Sequence, residues 1–136
     1  MKTTRINHLG IAVQDVQAAA AVYEAMGLSV DRVIEVPEQK VRVAFIPIGE
    51  STIELLQPTS PDSTVAQYLE TRGEGLHHLA LEVEDIEAAL TELDRQGYRL
   101  IDRTPRRGAE GRIAFLHPRS TGRVLIELVE PESQED

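Results

Sequence analysis

The feature that most constrains this chain is an internal repeat. Residues 8–13, HLGIAV, align with residues 78–83, HLALEV, at a spacing of 70 residues. The same spacing carries Asp15 onto Asp85, Val16 onto Ile86, Ala18 and Ala19 onto Ala88 and Ala89, and Gly27 onto Gly97. Toward the end of each copy, TIELLQP at 52–58 resembles VLIELVE at 124–130. There Glu54 meets Glu127 at a spacing of 73, so the second copy has gained three residues in a loop. The unit is too long, and its copies too few, for a solenoid. The 136 residues therefore suit one domain made of two modules. The first module is expected over 5–58 and the second over 76–130, with a helical linker at 59–75 and an acidic tail at 131–136.

Each copy has the same local pattern. A short alternating apolar run, His8 to Val13, reads as a strand and ends at Gln14-Asp15. Asp15 is a good helix N-cap, because its carboxylate can accept the free amides of the first turn. The run VQAAAAVYEAMG is rich in helix formers, carries an apolar stripe of Val16, Ala19, Ala20, Tyr23 and Met26, and ends at Gly27. Strands follow at 28–36, 41–48 and 51–57, with a hairpin turn at Gly49-Glu50. The second copy predicts a strand at 76–83, a helix from about Ile86 to Gln96, and strands near 98–102, 112–117 and 122–130. Between the copies, SPDSTVAQYLETRGEG reads as a short helix capped by Asp62 or Ser63 and stopped at Gly73. The expected fold class is α+β: tandem βαβββ modules forming a curved mixed sheet with helices on one face.

Side chains alternate along a strand, so the residues sort onto two faces. Leu9, Ile11, Val13, Ile53 and Leu55 belong toward the helices, as do Leu79, Leu81, Val83, Ile126 and Leu128. His8, Glu54, His78 and Glu127 fall on the opposite face, with the small residues Gly10 and Ala80 beside the histidines. Two imidazoles and two carboxylates form a donor set for a divalent cation. A single strand histidine is more often a packed or hydrogen-bonded residue. Recurrence of both groups at equivalent positions points instead to a metal. His77 competes with His78 but lies on the other face, and Asn7 stands at its place in the first copy.

Composition removes other readings. The chain has no cysteine, which excludes disulfides, thiol catalysis and thiolate metal sites, so any metal sits among nitrogen and oxygen ligands. The formal net charge of −9 argues against a nucleic-acid partner. The start MKTTRINHLGIAV lacks a signal-peptide pattern, and no apolar run reaches membrane-spanning length, so a cytoplasmic location without membrane association is the expectation. Six arginines crowd residues 103–123.

With these residues in view, the chain resembles the vicinal-oxygen-chelate (glyoxalase/bleomycin-resistance-like) superfamily and, within it, the methylmalonyl-CoA epimerase family. The resemblance runs through INHLGIAVQDV, VPEQKVRVAF, IELLQPTSPDSTVAQYL, GEGLHHLALEV and RIAFLHPRSTGRVLIEL. The DSTVA, GLHH and FLHP segments are more specific than the fold. The resemblance implies a homodimer, a divalent metal (most often Co2+, with Mn2+, Ni2+ or Zn2+ as alternatives) and interconversion of (2R)- and (2S)-methylmalonyl-CoA. It places the metal ligands on His8, Glu54, His78 and Glu127. Some relatives carry a glutamate as a second acid/base in the strand after the PEQ segment; here that place is Val43.

Epimerisation of such a substrate removes the α-proton at C2, with a Lewis-acidic metal stabilising the enolate, and returns a proton to the opposite face. That needs two groups, or one group and a relay. Glu127 is the candidate for one. Glu54 is the pseudo-symmetric candidate for the other, with a water or another residue left open. Gln39 and His117 are candidate substrate contacts, and each has a plain alternative, a solvated loop for Gln39 and a loop-capping role for His117. The arginines suit either coenzyme A phosphates or a solvated surface. The competing enzyme is a lactoylglutathione lyase-type isomerase, and an extradiol dioxygenase would need only one carboxylate. The competing non-enzyme is a metal-free ligand-sequestering, antibiotic-resistance-like protein.

Overall fold

The computed structural model describes residues 1–132; the expected acidic tail lies mostly outside the described residues, which stop before Ser133. Its elements follow the order β1 (Thr3–Ala12), α1 (Val16–Ala25), β2 (Arg32–Val36), β3 (Val41–Ile48), β4 (Ser51–Pro58), α2 (Thr64–Arg72), β5 (Gly75–Val83), α3 (Ile86–Arg95), β6 (Arg106–Arg107), β7 (Gly111–Leu116) and β8 (Ile126–Pro131), with a 3₁₀ turn at Pro118–Ser120. The fold is α+β, and βαβββ occurs twice. Residues group into two compact units: His8–His77, and Met1–Asn7 together with His78 onward.

In the His8–His77 unit the strand order is β2-β3-β4-β1. β1 and β4 run parallel, with Leu9 beside Ile53 and Gly10 beside Glu54. β3 lies antiparallel to β4, setting Phe45 opposite Glu54 and Val43 opposite Leu56. Val13, Val16, Ala20, Ala44, Ile46 and Leu55 form a buried core joined by Ile11, Tyr23 and Ile53. It contains the expected Ile11, Val13, Ile53 and Leu55 and adds Ala44 and Ile46 from β3, and burying each large member contributes about 1.5–3 kcal/mol. Met26 departs from the stripe: it caps the end of α1 and is 64 % exposed.

The other unit repeats the plan. β5 and β8 are parallel, with Ala80 beside Glu127, and β7 is antiparallel to β8, with Phe115 opposite Glu127. Val83, Ile86, Ala89, Leu90, Ala114 and Leu128 form its helix-side core, with Leu81 and Ile126 packed against it. Ala80, Ile113 and Val129, with Phe115, pack on the opposite face.

The helix caps act as expected. Asp15 accepts from Gln17 N, Asp85 accepts from Ala88 N, and Ser63 rather than Asp62 caps α2. Each unit adds a second cap that sequence reading missed. Gln57 Oε1 accepts from Val16 N at 2.9 Å, and Glu130 Oε1 accepts from Ile86 N at 3.0 Å. Both residues stand three places after the strand glutamate of their copy. The recurrence of a polar residue there was the available signal.

The strand expected at 98–102 does not form; only a bridge between Leu100 and Leu116 remains. Ile101 N and Asp102 N both donate to Phe115 O, and Phe115 N donates to Asp102 Oδ2 at 2.8 Å. A side chain takes the place of a backbone acceptor, the ladder stops, and pairing resumes as β6. The strand expected at 28–36 is likewise shortened to β2, and that at 122–130 to β8, because Gly122 and Arg123 turn with positive φ.

One backbone position bears directly on the β7 edge. Gly111 has φ +145°, and a Cβ there would stand 2.4 Å from Glu130 O. Gly111→Ala is expected to lower stability by about 1–3 kcal/mol, read as a reduced urea midpoint. An unchanged midpoint would mean that the β7–β8 edge relaxes freely.

Candidate functional site

The strand registers put one histidine and one glutamate of each unit on the face away from its helix. In the His8–His77 unit, Gly10 is the neighbour of Glu54 across the β1–β4 pair, and its lack of a side chain leaves room beside the carboxylate. His8 Nδ1 lies 3.1 Å from Glu54 Oε2. In the other unit Ala80 takes the place of Gly10 beside Glu127, and His78 Nε2 lies 3.0 Å from Glu127 Oε1. All four residues are buried, with exposures of 1 % for His8, 3 % for Glu54, 7 % for His78 and 4 % for Glu127.

Burial of this kind is costly. A carboxylate removed from water loses several kcal/mol of solvation unless a nearby charge and hydrogen bonds replace it. Each unit supplies one such carboxylate with one imidazole against it. Each pair therefore offers a nitrogen and an oxygen donor of the kind that Co2+, Mn2+, Ni2+ or Zn2+ takes, and in each unit the residues present fit ligands of a divalent metal.

Aromatic rings frame both pairs. The Phe115 ring meets His78 edge to face, with centroids 5.7 Å apart at 87°, which restrains the imidazole plane. Phe45 stands opposite Glu54 as Phe115 stands opposite Glu127. An arginine lies over each ring: Arg32 at 4.4 Å from the Phe45 centroid and Arg106 at 5.6 Å from that of Phe115. Sequence reading singled out neither phenylalanine, although both lie nine or twelve residues before the glutamate of their copy.

His77 is placed differently from His78. It is half-buried and lies edge to face against Tyr68, with centroids 5.1 Å apart. Val43 lies on the Glu54 face by register and is 2 % exposed. Its isopropyl group cannot carry a proton. Ile113, at the same place in the second copy, is also apolar and fully buried.

The remaining candidates are on turns. Gln39, half-buried, lies in the turn between β2 and β3, where its N–H donates to Val36 O. His117 caps the 3₁₀ turn, its Nδ1 accepting from Arg119 N at 3.1 Å. Among the arginines, Arg103 pairs with Asp94, Arg106 with Asp102, Arg107 with Glu132 and Arg112 with Glu87. Apart from Arg106 with the half-buried Asp102, these are exposed pairs of small energetic weight. Sequence reading also passed over Glu110, at the tip of the β6–β7 hairpin. Its Oε2 is shut off from solvent, unusual for a turn carboxylate. The acid between Ala109 and Gly111 was the only local cue.

No helix among the described residues is long and apolar enough to cross a membrane. A family model of the Glyoxalase/Bleomycin resistance protein/Dioxygenase superfamily matches residues 7–115. The chain is 41 % identical over 128 residues to an ethylmalonyl-CoA/methylmalonyl-CoA epimerase of Cereibacter sphaeroides, covering 91 % of this chain and 96 % of that protein. It is 39 % identical over 127 residues to the mitochondrial methylmalonyl-CoA epimerase of Homo sapiens, covering 91 % and 72 %. A solved methylmalonyl-CoA epimerase in complex with methylmalonyl-CoA and NH4+ superposes with a TM-score of 0.92 at 39 % identity, covering 98 % of this chain and 99 % of that one.

Proposed function

We infer the reaction from the premise that the chain belongs to the glyoxalase/bleomycin resistance protein/dioxygenase superfamily and, within it, to the methylmalonyl-CoA epimerase family. It is an isomerase of the racemase/epimerase class. Its proposed substrate is methylmalonyl-CoA, whose (2R) and (2S) forms it interconverts as a cytoplasmic homodimer. The observation that carries the reading is the doubled pair of buried groups, His8 with Glu54 and His78 with Glu127, in a chain this similar to epimerases.

The four groups would hold one divalent metal, with Co2+ as the first candidate. When bound, the metal supplies Lewis-acid stabilisation to the thioester and carboxylate oxygens of the substrate as negative charge develops. The protein's own groups do the rest. Glu127 is the proposed acid/base on one side of C2. It is buried beside Ala80 and Phe115, with His78 holding one carboxylate oxygen. A base shielded from water abstracts a carbon-bound proton without first shedding a solvent shell. Glu54 is the pseudo-symmetric group, and Gln39 and His117 are proposed to contact the substrate from their turns.

A lactoylglutathione lyase-type reaction would use a related donor set, but the relatives above are epimerases. A metal-free sequestering protein would have no use for two buried carboxylates facing buried imidazoles. The test is deuterium wash-in at C2 of methylmalonyl-CoA in heavy water. We expect rapid exchange that a chelator abolishes and added Co2+ restores; absence of metal-dependent exchange would overturn the reading.

A further inference from the structure

We propose that Asp102 is a positioning residue: acting through Phe115, it fixes the orientation of the His78 imidazole. The inference rests on the reading of His78 as a metal ligand and names the group that holds that ligand in place.

Every contact lies within the unit that runs from His78 onward. β6 pairs only Arg106 and Arg107 with β7, so it gives Phe115 no ladder partner. The loop before β6 takes that place. Ile101 N and Asp102 N donate to Phe115 O at 2.9 and 3.2 Å. Phe115 N donates to Asp102 Oδ2 at 2.8 Å. Both backbone polar groups of Phe115 therefore turn away from β8. Phe115 and Glu127 then form a non-hydrogen-bonded pair, the kind in which cross-strand side chains lie closest.

The same carboxylate holds a second group. Asp102 Oδ1 accepts from Arg106 Nε at 3.2 Å, and the guanidinium carbon of Arg106 lies 5.6 Å from the Phe115 centroid. Asp102 thus sets both the backbone beneath the ring and the cation against it. The aromatic neighbour of that ring is His78, with centroids 5.7 Å apart at 87°. A perpendicular pair is favoured because the ring face is negative and the ring edge positive, so it selects an orientation as well as a distance. An imidazole already restrained loses less freedom when it takes up a metal.

The first copy reaches a similar arrangement by another route. Phe45 stands 70 residues before Phe115 and lies opposite Glu54. Arg32 is its direct ladder partner and lays its guanidinium carbon 4.4 Å from the ring centroid. No carboxylate is needed to bring it there. In the second copy the ladder is interrupted, the arginine comes from β6, and the Asp102 side chain supplies both connections. Each copy keeps a guanidinium on the equivalent phenylalanine although the supporting residues differ. What recurs is the placement of the ring.

The test uses F115L, D102A and D102N. The ring signals of His78 are read by NMR in the metal-free proteins, identified by their absence from H78Q, and Co2+ affinity is measured by calorimetric titration. F115L should remove the ring-current shift that Phe115 imposes on His78. D102A should move the same signals in the same direction. An amide cannot accept from Phe115 N and Arg106 with two oxygens, so D102N should move them by a smaller amount and remains informative if D102A does not fold. Co2+ affinity should fall about 10-fold in F115L and D102A. D102A/F115L should bind Co2+ no more weakly than either single variant, because both act through one contact. His78 signals unmoved in every folded Asp102 variant, or losses of affinity that multiply in the double variant, would overturn the proposal. A wild type that binds no Co2+ would instead overturn the metal reading, and the His78 signals, read without metal, would still decide the role of Asp102.

Discussion

Glu127→Gln is expected to reduce epimerisation by about 10²–10⁴-fold while substrate affinity changes only a few-fold. Glutamine has nearly the volume of glutamate, so the packing against Ala80 and Phe115 survives. Its amide oxygen can still meet His78 and act as a metal ligand. It lacks a basic oxygen that can take a proton from carbon. Loss of turnover without loss of binding isolates that function, because an interaction made only in the transition state changes kcat rather than KM. Coupled turnover and calorimetric titration of a non-reactive thioester analogue measure the two quantities. Near-normal turnover would remove Glu127 from the mechanism.

The second large effect separates two adjacent histidines. His78→Ala is expected to weaken metal affinity at least about 100-fold, more than the loss of a supporting residue around a metal site, and to abolish turnover with it. His77→Ala should keep its metal and most of its activity, losing only the edge contact with Tyr68, worth about 0.5–1.5 kcal/mol. Elemental analysis of the two purified variants decides the matter without an assay. A metal-free His77→Ala beside a metal-replete His78→Ala would reverse the register on which the donor set depends.

Much of the fold was legible before any coordinates. The spacing of 70 between HLGIAV and HLALEV marks two equivalent units. The alternation of each strand then assigns Ile11, Val13 and Leu55 to one core and Leu81, Val83 and Leu128 to the other, as observed. Caps at Asp15 and Asp85 follow from local chemistry alone, whereas the choice of Ser63 over Asp62 was made by the tertiary structure. The failures share a cause. At 98–102 the residues suit a strand, but the ladder is interrupted by the side chain of Asp102 bonding Phe115 N, thirteen residues away. At Gln57 and Glu130 the capping oxygen comes from a distant strand, so no window around the helix contains it.

The candidate site divides the same way. The sequence by itself determined which residues could share a face, because alternation is a property of the extended backbone and the repeat doubles every assignment. It thereby selected His8, Glu54, His78 and Glu127, and preferred His78 to His77. Only the tertiary structure decided what those side chains touch: His8 against Glu54, His78 against Glu127, and Phe115 edge-on to His78. It also decided the burial of Glu110 Oε2, because nothing local distinguishes a hairpin glutamate that faces water from one shielded by packing.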